Sequence, residues 1–311
     1  MKRKMLNVPK GGYDGMKGFT IVEFLVAGLL SIIVLIAVVS SYFTSRKLND
    51  AANERLAIQQ DLRNAATLIV RDARMAGSFG CFNMSEHTEK DVVFDVAQEN
   101  RPFSLKGSSA NKLIPIAESL NIGYQGFAQV RPALIFQYGI DDVNASAETT
   151  VVSSCGVISK PGKQIPTLED AKKELKIQNS GKEQNGNIAR QRHVVNAYAV
   201  GRIAGEEGLF RFQLDDKGKW GNPQLLVKKV KRMDVRYIYV SGCPEDAGKE
   251  EQFKYTDKFD KSRDAVTPAG VEVLLDSGLD AEIAASSDNS IYAYRINATI
   301  RGGNVCANRT L

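Results

Sequence analysis

The residues whose types allow chemistry are few and widely spread. There are four cysteines, Cys81, Cys155, Cys243 and Cys306, and two histidines, His87 and His193. No cysteine pair has C-x-x-C spacing, which argues against a zinc or thioredoxin-like site. An even number of cysteines beyond an apolar segment points instead to two disulfides in an oxidising space. His87, in "SEHTEKD", reads as a solvated loop residue, and His193, at the head of a strand, as structural. H-E-x-x-H, G-x-S-x-G, P-loop and G-x-G-x-x-G patterns are absent from the sequence. "LDDKGKW" has two acids and a glycine without calcium-loop spacing, so it reads as a turn. The expectation is a chain without catalytic residues, metal or cofactor. The acid that asks for an explanation is Glu23, in "MKGFTIVEFL", at the edge of an otherwise apolar run.

That run, Phe24 to Ser45, has 22 residues without a charge. About 20 apolar residues cross a bilayer core, and charges within such a helix are rare. Residues 1–18 carry Lys2, Arg3, Lys4, Lys10 and Lys17 against Asp14 alone. Such a flank keeps the N-terminus cytoplasmic and sends the remainder outward. A secretory signal has a shorter apolar core and ends in an A-x-A-like site, which is missing here. An uncleaved signal anchor fits charge and length. Most of the formal charge of +5 belongs to these first residues. The basic pI is therefore largely a targeting feature and argues against nucleic-acid binding.

The elements follow from periodicity. Pro9 and Pro102 enclose a proline-free stretch. Within it Leu48, Ala52, Leu56, Leu62, Ala66, Ile69, Ala73 and Ala76 recur at steps of three and four, with Gln59 bridging one gap. Arg46, Lys47, Asp50, Glu54, Arg63, Arg71 and Arg74 lie on the other side, and Gly77 and Gly80 supply terminators. The spacing predicts one helix over 19–76. Beyond Cys81 the period becomes two, with strands over 132–139, 193–203, 208–214, 224–230, 233–240 and 290–301 and a hairpin connection at "LDDKGKWGNPQ". Residues 160–193 and 244–268 read as polar surface insertions, the first with a short central helix. The first insertion has eight Lys/Arg against four Asp/Glu, but no interleaved aromatics on which bases could stack.

Two stretches resemble a known family. "KGFTIVEFLVAGLL" is similar to the processing site of type IV prepilins: a basic leader ending in glycine, an aromatic residue, and glutamate at the fifth mature position. "LRNAATLIVRDARMAGSFGCF" resembles the helix end of the PilW group of minor pilins, through Arg71, Asp72, Arg74, Ala76, Gly77, Phe79, Gly80 and Cys81. The resemblance implies cleavage between Gly18 and Phe19 by a prepilin peptidase and N-methylation of Phe19. It makes Glu23 an assembly contact that neutralises a neighbour's terminal amine. It also implies an α+β pilin-like fold, a long N-terminal helix packed on a mostly antiparallel sheet. The divisions are a leader at 1–18, a membrane and filament-core helix at 19–45, its amphipathic continuation at 46–80, and a β-rich domain at 81–311.

By the same resemblance the chain is an inner-membrane subunit that joins a pilus at or near its tip and helps to prime assembly. Its expected partners are other minor pilins, the major pilin, the prepilin peptidase, the assembly platform and a tip adhesin. A minor pseudopilin of a type II secretion system shares the leader and fold, and a membrane-anchored periplasmic enzyme is the alternative from another class. The cysteines allow three pairings. Proximity in sequence favours Cys81–Cys155 with Cys243–Cys306, while Cys81–Cys306 stays open.

Overall fold

The structure, a computed structural model, describes residues 18, 20–93, 112–176, 187–241, 252–259, 266–276, 294–301 and 303. Cys243, Cys306 and Phe19 lie outside them, and with them the Cys243–Cys306 pairing and the methylation site. Contacts divide the chain into two units, Met1–Ala57 and Ile58–Leu311.

Helix α1 runs from Ile21 to Met75, 55 residues or about 80 Å at standard rise. From Ile21 to Ala57 every residue is exposed. Within it the charge-free run from Phe24 to Ser45 is apolar and long enough to serve as a candidate membrane anchor. From Ile58 onward one face is buried: Ile58, Leu62, Ala65, Ile69 and Ala73. The stripe expected from the sequence needs correcting at its start. Leu48 and Leu56 are exposed, and Ile58, not Gln59, begins the packed face. Steps of three and four can be threaded along adjacent paths, and only the sheet selects one.

Strands follow in the order β1 (Ser78–Phe79), β2 (Phe82–Asn83), β3 (Val92–Val93), β4 (Ile116–Ser119), β5 (Phe127–Gln129), β6 (Ala133–Ile140), β7 (Thr150–Ser153) and β8 (Ile158–Ser159). After a short helix α2 (Leu168–Glu174) come β9 (Ala189–Ile203), β10 (Glu206–Leu214) and β11 (Trp220–Lys228). The last four are β12 (Arg232–Ser241), β13 (Gln252–Thr256), β14 (Gly270–Asp276) and β15 (Tyr294–Thr299). β9 is the hub of the larger sheet, pairing antiparallel with β10 along one edge and with β7, β6 and β5 in turn along the other. A second sheet has the order β13-β12-β14-β15, all antiparallel; in the larger one, β3 and β8 pair parallel. The architecture is α+β with mostly antiparallel sheets, as the sequence implies. β13 falls inside the segment expected to be a charged insertion, and its Phe253 and Tyr255 are exposed.

The main core joins α1 to both sheets. Leu62, Ile69 and Ala73 meet Leu134, Phe136, Tyr198 and Val200 from the larger sheet and Tyr237, Val273 and Ile296 from the smaller. Burial of each large side chain contributes on the order of 1.5–3 kcal/mol. The helix stops at Gly77, whose φ of +78° suits glycine. A Cβ there would also meet Pro115 at 2.9 Å.

Candidate functional site

The helix begins with a closed local network. Glu23 Oε2 accepts from the Thr20 backbone N–H at 3.0 Å and from its hydroxyl at 3.1 Å. Thr20 Oγ1 accepts in turn from the Glu23 N–H at 3.3 Å. This is the reciprocal T-x-x-E capping box, which satisfies donors that a helix start leaves open. Glu23 thus has a duty within its own chain that the sequence reading passed over, although "TIVE" spells it. Gly18 sits two residues before Thr20, and among the described residues no atom beyond its chain neighbours lies within 4 Å of where its Cβ would be.

A second polar centre lies at the other end of α1. Asp72 is fully buried. Its Oδ1 accepts from the Tyr138 hydroxyl at 2.9 Å and from Arg71 Nε and Nη2 at 3.2 and 3.0 Å. Its Oδ2 accepts from Tyr198 at 2.6 Å, Asn196 Nδ2 at 2.9 Å and Arg211 Nη2 at 3.5 Å. The strands bring these donors together by register. Leu134 stands opposite Tyr198 and Arg211 opposite Tyr198, so Asn196, Tyr198, Tyr138 and Arg211 share the face that meets α1. Burial first, and then the Asp72 charge, pushes the Tyr138 phenol up to about 12 and Tyr198 further. Both stay neutral and donate. A carboxylate offers about four lone-pair sites. Six donor contacts leave none directed at solvent, so Asp72 is a fastening between helix and sheet. It appeared in the sequence only as a position of the R-D-x-R resemblance. Nothing local marks it as buried, because its donors come from three distant strands.

The helix end is tied covalently as well. Cys81 and Cys155 form a disulfide with Cα atoms 4.7 Å apart, both residues exposed. Below it, Ser153 Oγ donates to the Phe79 carbonyl at 2.7 Å, and Phe79, Phe82 and Met84 pack with Val151 and Ile158. His87 corrects its expectation as a solvated residue. It stacks on Phe82 at 4.2 Å, with Nδ1 3.4 Å from Asp91 Oδ2. His193 is buried within β9, its Nε2 3.2 Å from Gln137 Oε1, and burial pushes its pKa down to about 3. Among the described residues no group of three or more His, Cys, Asp and Glu is placed to hold a metal. In the polar insertion, Lys163 pairs with Glu174, Lys172 with Glu169 and Arg192 with Asp142.

Compared with protein-family models, curated proteins and solved structures, the chain matches none.

Proposed function

We propose that the chain is a minor subunit of a type IV pilus, of the PilW kind. It is held in the inner membrane by α1, cleaved between Gly18 and Phe19, methylated at Phe19, and built into the pilus at or near its tip. The observation that carries this reading is the "KGFTIVEF" run at the head of a 55-residue helix whose first part is apolar and exposed. Such a helix needs a bilayer or other helices around it, because a bare apolar surface of that length is unstable in water. Glu23 then has two successive tasks: it caps its own helix, and it meets the terminal amine that cleavage creates on a neighbour. The packed end of α1 and the sheets would carry the surfaces that face partner subunits.

Mass spectrometry of sheared surface filaments tests this reading. The expected result is a peptide that begins at Phe19 and carries one N-methyl group. Gly18→Arg, which places a long cation beside the bond, should leave the full-length chain in the membrane. Normal trimming of that variant overturns the reading.

A further inference from the structure

Strand β12 is paired unequally on its two edges. β14 follows it from Arg232 to Ile238, whereas β13, on the other edge, follows it only from Tyr237 to Ser241. Arg232–Arg236 therefore has a strand on its β14 side and, among the described residues, none on the other. A cavity of about 310 Å³ lies here, lined by all of Arg232–Arg236 and by Glu118, Arg131 and Asp257. Successive side chains of a strand point to opposite faces. A space that touches every residue of such a run lies along the edge of the strand, not over one face. Met233 is 2% exposed and Val235 packs on the main core, so these two meet the cavity chiefly with their backbone. An open edge of this kind is a template for one more strand.

The two ends of the cavity differ in charge. Where β13 stops, Asp257 follows Thr256, the residue opposite Tyr237, and Glu118 Oε1 accepts from the Tyr237 hydroxyl at 2.7 Å. Toward the other end stand Arg232 and Arg131, which share Asp234; Arg131 is 3.9 Å from it, with nearly half its side chain exposed. Arg236, near the acidic end, is held by Glu272 at 3.3 Å.

We infer that the open edge of β12 binds the extended C-terminal end of a partner polypeptide, whose free carboxylate sits between Arg131 and Arg232. The added strand continues the line of β13, which is antiparallel to β12. It enters beside Asp257 and ends beside Arg232. A strand of the opposite sense would bring its carboxylate to Glu118 and Asp257, and repulsion rejects it. The open run spans about 17 Å at strand rise, which sets the occupant at about five residues. Backbone bonds to the edge supply affinity for many sequences, and the arginines select a chain end. The inference stands on the edge of the sheet and does not rest on the pilus reading.

Fluorescence anisotropy with the full chain in detergent tests it. The probe is a fluorescein-labelled pentapeptide of alternating threonine and valine with a free C-terminal carboxylate. It should bind saturably, and its C-terminal amide should bind about tenfold more weakly or worse, through loss of a charge-assisted contact. Two further probes carry N-methyl groups on the backbone nitrogens of residues two and four, or of three and five. These positions face opposite edges of an extended peptide, so one probe should keep its binding within about threefold and the other should lose it. Arg131→Gln should cut the preference for the free carboxylate to about twofold or less, with amide binding and the thermal unfolding midpoint unchanged. Absence of saturable binding, equal binding of acid and amide, or equal losses from the two methylation patterns each overturns the inference. So does a preference for the acid that survives in Arg131→Gln.

Discussion

Glu23 and Asp72 stand on the same helix, yet among the described residues Glu23 bonds only within its own first turn, whereas Asp72 gathers donors from β6, β9 and β10. Glu23 is exposed, and Asp72 has no exposed surface at all. A carboxylate satisfied locally and left open on its outer side remains available to another molecule. One enclosed by tertiary donors is committed to the fold. The same contrast separates the apolar residues on either side of Ala57: before it they face outward, and after it they fill a core.

The strongest test of that contrast removes the enclosed carboxylate. Asp72→Ala strands Arg211 and two buried tyrosine hydroxyls, and breaking a buried ion pair by one partner costs about 3–5 kcal/mol. Thermal unfolding of the full chain in detergent should show a midpoint lower by roughly 10 °C. A shift within about 2 °C would mean that Asp72 is no fastening. Next comes the apolar pair: Ile69→Ala should cost about 2–4 kcal/mol through a cavity in the core. Ile33→Ala, in the exposed part, should leave the unfolding midpoint unchanged.

A third test uses pH. His193 is neutral in the fold, with its pKa lowered by burial from 6.5 to about 3. The unfolded chain binds the proton first, so this contribution is complete above about pH 6.5 and is lost as the pH falls toward 3. At pH 4.5 the loss is about 2–3 kcal/mol by linkage. His193→Gln should flatten that part of the pH–stability curve, and an equally steep curve would exclude the histidine as its source. The smallest effect on stability belongs to the helix head. Neither Thr20→Val nor Glu23→Val should alter the unfolding midpoint of the packed unit. Glu23→Val should lower incorporation into filaments, and Thr20→Val, which removes the capping hydroxyl but keeps the backbone N–H and the carboxylate, should do so far less. Equal losses would reduce Glu23 to a cap.

How much of this was legible in the sequence depends on range. The long helix was, because its apolar steps and its glycine terminators are local. So were most of the larger sheet's long strands, where alternation survives. β14, "GVEVLLD", escaped because residues 270–275 are buried consecutively, and a strand covered on both faces loses its alternation. β13 was hidden by charged neighbours on either side of "QFKYT". The capping box could have been found, since Thr20 and Glu23 stand three apart. The Asp72 cluster could not, because "RDAR" reads as a solvated run until Tyr138, Asn196, Tyr198 and Arg211 are brought to it.

The Cys81–Cys155 bond has a mechanical consequence. Its two residues are 74 apart in sequence, and strands β2 to β7 lie between them. A chain pulled from both ends can lengthen only through residues outside that loop, because the tension crosses from one sulfur to the other. About 250 Å of extended backbone is thereby kept out of reach of the force. With the bond reduced, the same pull releases that length, and the strands from β2 to β7 become part of the load-bearing path.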